Sequence, residues 1–442
     1  MIDRPVTRIE IHKLVGIAFG IRLLVTFLTP VPSEDGVNYL WMAQRLAAGA
    51  PADALSEVFP PGMPLLLTPA VATGLDPFRV SQWMLCLLCA LAIWPCVRIA
   101  ERVEPRFALA TGLLLALVPT SVRSVGAIFT EPVFALFAAW SLSGALGRRH
   151  AWSGLAAGMA FWIRPEALAL PIANLVLGRW RGLLAVLPIM LSVVGLATWR
   201  STHGQDFDLL PILTFNAARG DAGLDDGGLQ LATIAGNLLD LVPAWVEAFW
   251  IVGGLALIGM WRLRRDRRGV AFLAVLVVAL AAIVLFLTRR RFLVAWLPIL
   301  ALFVPAAIAA LPARARFPTL FLSCLLTLLG CLRIDHGNKH DEVVVAEWLR
   351  ATMRPGERVE GDLTRVLWYS GGRPLPPRHF TVAELVDRAR QPGVRFVALG
   401  SKREGCAEVA ARLAPDFTEC GVPERERRAM ERRGIMLLER RR

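Results

Sequence analysis

The chain has 442 residues, 55% of them hydrophobic, with a formal net charge of +13 and a mean hydropathy of +0.52. That apolar share excludes an ordinary soluble domain of this length. The placement of the cations argues against a nucleic-acid surface, because the arginines stand in short clusters between apolar runs, as membrane-topology signals do.

In chain order, the apolar runs predict membrane helices over 14–31, 80–100, 107–122 and 128–146. A longer run, 152–177, is interrupted by Arg164-Pro165-Glu166. Further runs follow at 183–199, 241–261, 270–287, 292–311 and 317–332. Such runs match the roughly 20 apolar residues that span a bilayer core. No small-residue cleavage site follows the first run, so it is expected to stay as a signal anchor.

Orientation follows from the cations. Arg4, Arg8 and Lys13, Arg98, Arg102 and Arg106, Arg148-Arg149, Arg179 and Arg181, the cluster from Arg262 to Arg268, and Arg314 and Arg316 all favour the cytoplasm. That places about 17 cations inside against about nine outside, the tail excluded. The segment between Arg149 and Arg179 must then cross twice, with Arg164-Pro165-Glu166 as its outer turn; a single tilted helix would reverse the tail. The expectation is about eleven crossings, the N-terminus cytoplasmic and the tail outside, in a bacterial inner membrane.

The predicted fold class is an α-helical polytopic membrane protein with a small C-terminal α/β extracytoplasmic domain. The transmembrane domain covers 1–333, with outer loops 32–78 and 200–240, and the tail domain covers 334–442. In the tail the pattern predicts helices over 341–353, 381–390 and 407–413 and strands over 358–361, 394–399 and 434–438. Of the seven cysteines, Cys86 and Cys89 form a CxxC without a partner pair and read as small core residues. Cys406 and Cys420 read either as a disulfide or as separate thiols. His336 and His340 with Asp335 and Asp341 form a modest cluster, short of a metal signature; no metal and no cofactor are expected.

The chemistry concentrates in the outer segments. Ser33-Glu34-Asp35-Gly36 follows the first helix, and an acid at a membrane rim is costly unless solvated or in use. Asp35 is the candidate base; a solvated loop acid is the plainer alternative. Tyr39, four residues on, shares its face if the segment is helical. Glu34 either orients Asp35, binds substrate or is an exposed neighbour. Thr130-Glu131-Pro132 reads either as a helix cap with a dipole-matched acid or as a second catalytic acid. Arg164 and Glu166 either pair with each other or project into a cavity. Arg289, Arg290 and Arg291 break the charge rule; a triplet on the outer side calls for an anion, either ordinary head groups or a bound lipid phosphate.

Asp35-x-x-x-Tyr39 followed by Pro60-Pro61-Gly62 resembles the first outer loop of polytopic glycosyltransferases of the GT-C class, which include the protein O-mannosyltransferases and the aminoarabinose transferases that modify lipid A. Thr130-Glu131-Pro132, the stretch from Gly154 to Arg164-Pro165-Glu166, Arg291-Phe292 running to Pro298, and Glu347-Trp348-Leu349 with Trp368-Tyr369-Ser370-Gly371 are similar to their later motifs. The chain departs from them in carrying Glu34-Asp35 for an Asp-Glu pair and Phe292 for a tyrosine. The resemblance implies a polyprenyl-phosphate-linked sugar donor, a glycan, lipid or protein acceptor, and inverting transfer on the outer face. By that likeness Asp35 is the acceptor-activating base and the cationic residues hold the departing lipid phosphate. Together with the reading of the residues themselves, the candidate site is Asp35 and Glu131 as catalytic residues and Glu34, Tyr39, Arg164, Glu166, Arg289, Arg290 and Arg291 as substrate-binding residues. Membrane lipids are the other partners; nucleic acid is not one. A transporter or flippase of a lipid-linked sugar and a non-catalytic assembly partner are the competing classes.

Overall fold

The computed structural model describes residues 5–51, 59–203, 224–225, 228–229, 231–286, 289–332, 339–372, 381–401 and 405–441. Most of the predicted outer loop 200–240, and His336 and Asp335 of the histidine cluster, lie outside the described residues. The chain divides into two compact units, Met1–Leu28 with Leu55–Arg333, and Thr29–Ala54 with Ile334–Arg442. Thr29–Ala54 therefore groups with the tail and not with the helices that flank it in sequence.

The first unit is helical. Among the described residues, five helical stretches are long and apolar enough to cross a membrane: Pro77–Glu101, Pro165–Thr202, Leu231–Leu263, Arg267–Leu285 and Ala313–Cys331. Pro105–Ala116 and Pro119–Gly126, bent by 45°, make a sixth if taken as one span. Leu187, Leu191 and Val194, and Phe317, Phe321 and Leu329, point outward and are exposed. Water penalises a continuous apolar surface of this kind and a bilayer does not. The chain is a multi-pass membrane protein.

Two helices, Glu131–Leu146 and Leu297–Ala310, are buried almost throughout. Ala138, Ala139, Ser141, Gly144 and Ala145 keep the first slim enough for close helix–helix approach. It packs on His150–Ile163, Ile93–Glu101 and Pro77–Leu91. Local chemistry shifts several predicted boundaries. The first helix is Arg8–Thr26, opened early by a Thr7/Glu10 capping box. The run 292–311 breaks into Arg290–Val294 and Leu297–Ala310. The run 241–261 lies inside a longer helix, Leu231–Leu263, kinked at Trp250.

Arginines staple helix ends in this unit. Arg102 Nη1 donates to the Ser143 carbonyl (2.6 Å) and Arg268 Nη1 to the Arg102 carbonyl (2.7 Å). Arg267 Nη2 donates to Val176 (2.6 Å), and Arg316 reaches Leu311 (3.0 Å) and Ala309 (3.1 Å). These carbonyls belong to last turns and helix ends, where intrahelical donors run short; the Ser143 carbonyl also accepts from Gly147 N (3.0 Å).

The second unit holds a four-stranded sheet of β1 (Arg358–Gly361), β2 (Val394–Gly400), β3 (Phe417–Glu419) and β4 (Ile435–Arg440). Its order is β1-β2-β4-β3, with β1 parallel to β2 and the other pairs antiparallel. Alternation along β2 sends Phe396 and Ala398 to one face, against His340–Thr352, Thr364–Tyr369 and Glu424–Arg433. Val397 and Leu399 go to the other, against Val382–Arg390 and Cys406–Leu413. The two cysteines are parted by this layering. Cys406 lies in one cluster and Cys420 in the other, and both are free thiols. Burial, reinforced by the Glu439 charge, pushes the Cys420 thiol up to about 12.

Gly361 ends β1 at φ +143, and a Cβ there would run into the Ala398 backbone. Gly361→Ala is expected to destabilise the second unit by about 1–3 kcal/mol or more, read as faster hydrogen exchange across residues 394–400.

Candidate functional site

The predicted site residues fall into two groups, one in each unit. In the first unit three helix ends meet. His150–Ile163 stops because Pro165 disfavours helical geometry in the residue before it, and Arg164 is extended (φ −154, ψ 130). Pro132 starts the Glu131–Leu146 helix, and ahead of it buried Ile128 sits in the left-handed region at φ 57. Such a conformation in a β-branched residue costs about 1–3 kcal/mol and persists only where packing imposes it. The third end is Arg290–Val294.

Arg164 joins these ends. Its Nη1 donates to Glu131 Oε1 (2.9 Å) and Thr130 Oγ1 (3.2 Å), and its Nη2 donates to Glu166 Oε1 (2.6 Å). Arg291 Nε lies 4.0 Å from Glu131 Oε1. Arg164 stacks over Phe292, and Arg291 over Phe129 and Phe292, at 5.0–5.2 Å from the ring centres. Glu131 is only 2% exposed. Its Oε2, like Glu166 Oε2, has no hydrogen-bond partner among the described residues.

The pairing of Arg164 with Glu166 read from sequence is present, and Glu131 completes it. The Thr130 cap is absent: its hydroxyl accepts from Arg164 and makes no cap bond. The arginine triplet separates. Arg291 joins the buried cluster, Arg290 pairs with Glu247 at 3.3 Å on the surface, and Arg289 is exposed ahead of the helix. Phe129 and Phe292 went unflagged as cation partners; Phe292 adjoins Arg291 in sequence, whereas Phe129 meets it only through the fold.

In the second unit, Glu34, Asp35 and Tyr39 lie on the helix Glu34–Ala47. Ser33 caps it, accepting from Gly36 N (2.9 Å). Glu34 and Asp35 therefore occupy the first turn of that helix. Asp35 is half-buried, Glu34 exposed and Tyr39 buried. Sequence reasoning missed Arg365, which donates from Nε to the Pro32 carbonyl (2.8 Å) and from Nη1 to Glu342 (2.8 Å), with Glu34 at 3.6 Å. Arg433 Nη2 also binds Glu342 (2.7 Å). Among the described residues no three histidine, cysteine or acidic side chains converge to hold a metal. Asp341 of the suggested histidine cluster is taken by Arg432 (2.6 Å).

Two outcomes follow from these charges. Arg164→Met leaves two carboxylates buried without their cation and is expected to cost about 3–5 kcal/mol, measured as thermal unfolding in detergent. Burial alone would lift the Glu342 carboxyl, but Arg365 and Arg433 outweigh it and hold it below its ordinary value. That stabilisation is complete above about pH 4.3, the unfolded value, and is lost as pH falls through the depressed folded value. Acid unfolding of the second unit should show this limb, and Glu342→Gln should flatten it.

The family model described as glycosyltransferase family 87 matches residues 58–288, just over half of the chain. Among proteins of curated function none matches in sequence. In structure, ArnT from Cupriavidus metallidurans bound to undecaprenyl phosphate is similar at 13% identity. The match covers 96% of this chain and 97% of that one, with a TM-score of 0.69. The Archaeoglobus fulgidus oligosaccharyltransferase in complex with Zn and sulfate matches at 14% identity over 88% of this chain and 68% of that chain, TM-score 0.62. AglB from the same organism, in complex with an inhibitory peptide and a dolichol-phosphate, matches at 14% identity over 92% and 72%, TM-score 0.56.

Proposed function

The chain belongs to glycosyltransferase family 87, and from that premise we propose that it transfers a sugar from a polyprenyl-phosphate carrier to an acceptor hydroxyl, with inversion, on the extracytoplasmic face of a bacterial inner membrane. The carrier class is suggested by the undecaprenyl phosphate bound to ArnT and the dolichol-phosphate bound to AglB. Asp35 is the base. It takes the acceptor proton as the acceptor oxygen forms its bond to the anomeric carbon. The bond from that carbon to the phosphate oxygen breaks, and the lipid phosphate leaves with the electron pair. The observation that supports this reading is the position of Asp35, half-buried in the first turn of the Ser33-capped helix Glu34–Ala47, where a carboxylate within hydrogen-bond reach of an acceptor hydroxyl can take its proton.

The leaving phosphate gains charge in the transition state, so cations near it lower the barrier. Arg164 is already committed to two carboxylates, and withdrawing it would strand both. Arg290 is different, because its pair with Glu247 has both side chains about half exposed, at 45% and 59%. Such a pair is worth at most about 1 kcal/mol and exchanges readily for a phosphate. We therefore assign phosphate binding to Arg289, Arg290 and Arg291, and assign Arg164 and Glu166 to holding Glu131. The small α/β tail carries the Asp35 helix.

Asp35→Asn should lower turnover by roughly 10²–10⁴-fold and leave binding of undecaprenyl phosphate intact. Mass spectrometry of envelope glycans in cells carrying either form, with a thermal-shift titration of the purified protein against undecaprenyl phosphate, checks both halves. Unchanged glycans with the variant overturn the assignment of the base. Arg290→Ala should weaken that titration several-fold while the protein stays folded.

A further inference from the structure

The turn that bears Asp35 is tied down at its start. The residue before the Ser33 cap, Pro32, offers its carbonyl to Arg365 Nε at 2.8 Å. The residue after the cap, Glu34, sits 3.6 Å from Arg365 Nη1. Arg365 is 1% exposed, and the same Nη1 binds Glu342 at 2.8 Å. Glu342 is fixed in turn by Arg433 at 2.7 Å. One planar guanidinium thus grips both sides of the cap and anchors them to the His340–Thr352 helix.

A lysine would keep the charge. It carries a single nitrogen, so it does not reproduce the fork that reaches a backbone carbonyl and two carboxylates together. Arg365 belongs to the short helix Thr364–Tyr369, against which the Glu34–Ala47 helix packs. Its burial is therefore paid in desolvation for a contact at one particular place, and a hydrophobic residue of similar size would fill the same volume.

We propose that Arg365 is a positioning residue for the reaction: it fixes the direction of the Asp35 turn through the Pro32 carbonyl and the Glu34 carboxylate, and touches no substrate itself. This inference rests on the assignment of Asp35 as base. It makes the tail a working part of the catalytic machinery, because the geometry of a turn near residue 35 is set by residues 342, 365 and 433.

The test is Arg365→Lys in the full-length protein, read by hydrogen–deuterium exchange and by envelope glycans. Exchange across residues 33–39 should rise roughly tenfold, the scale of one lost hydrogen bond to a charged group. Exchange across 394–400 and 435–440 should stay at the wild-type level, and the glycans should fall as they do with Asp35→Asn. Unchanged exchange at 33–39 overturns the inference whatever the function is. Exchange rising in the turn and the sheet together also overturns it, because that is loss of a core residue. Local loosening with normal glycans, in cells where Asp35→Asn abolishes them, overturns the catalytic role of the positioning. Failure of Asp35→Asn to alter the glycans removes the assigned base, and is read without the Arg365 variant. If Arg365→Lys does not accumulate, Arg433→Lys, on the partly buried side of Glu342, is read in the same way with a smaller rise at 33–39 expected.

Discussion

A charge withdrawn from water into an apolar bundle has to be answered by a charge of the other sign or by directed hydrogen bonds. In the first unit Arg164 is answered by Glu131 and Glu166, and these three side chains decide where three helix ends meet. The break at Pro165, the left-handed residue at Ile128 and the short Arg290–Val294 helix all gather around that requirement. Aromatic faces of Phe129 and Phe292 fill the remaining directions around the guanidiniums. The arrangement balances two cations against two anions, and leaves one oxygen of each carboxylate buried without a hydrogen-bond partner among the described residues.

The second unit uses the same device with another purpose. Glu342 lies between Arg365 and Arg433, and through Arg365 the network reaches residues far earlier in the chain. The helix Glu34–Ala47 is held by side chains some 300 residues later in sequence. A segment that looks like a loop between two membrane helices is a part of the sheet-bearing unit.

Much of this could be read in the sequence, for definite reasons. Arg164-Pro165 announces a helix break because a residue before proline avoids helical geometry, and the break is there. Strands at 358–361, 394–399 and 434–438 carry the alternation or continuous apolar character of buried strands, and all three form. Phe417–Glu419 was missed because three residues with one buried side chain carry no period. Glu424–Arg433 was missed because its charges mask the one apolar stripe, Ala429 and Met430. Within the site, the residue types were legible and their pairings only partly so. Arg164 with Glu166 is a local contact two positions apart. Arg164 with Glu131, and Arg365 with Pro32 and Glu342, join distant segments, and no local pattern encodes a long-range contact.

The arginine staples at the helix ends carry a consequence for how such a chain tolerates change. Charge counting treats arginine and lysine as equals in setting which loops stay in the cytosol. Arg102, Arg267, Arg268 and Arg316 do more than count, because each places a directed donor on a carbonyl at a helix end. Two pressures, one on insertion and one on the folded bundle, therefore act on the same positions. Drift from arginine to lysine would leave the threading of the chain intact and loosen the rim where its helices are bound together.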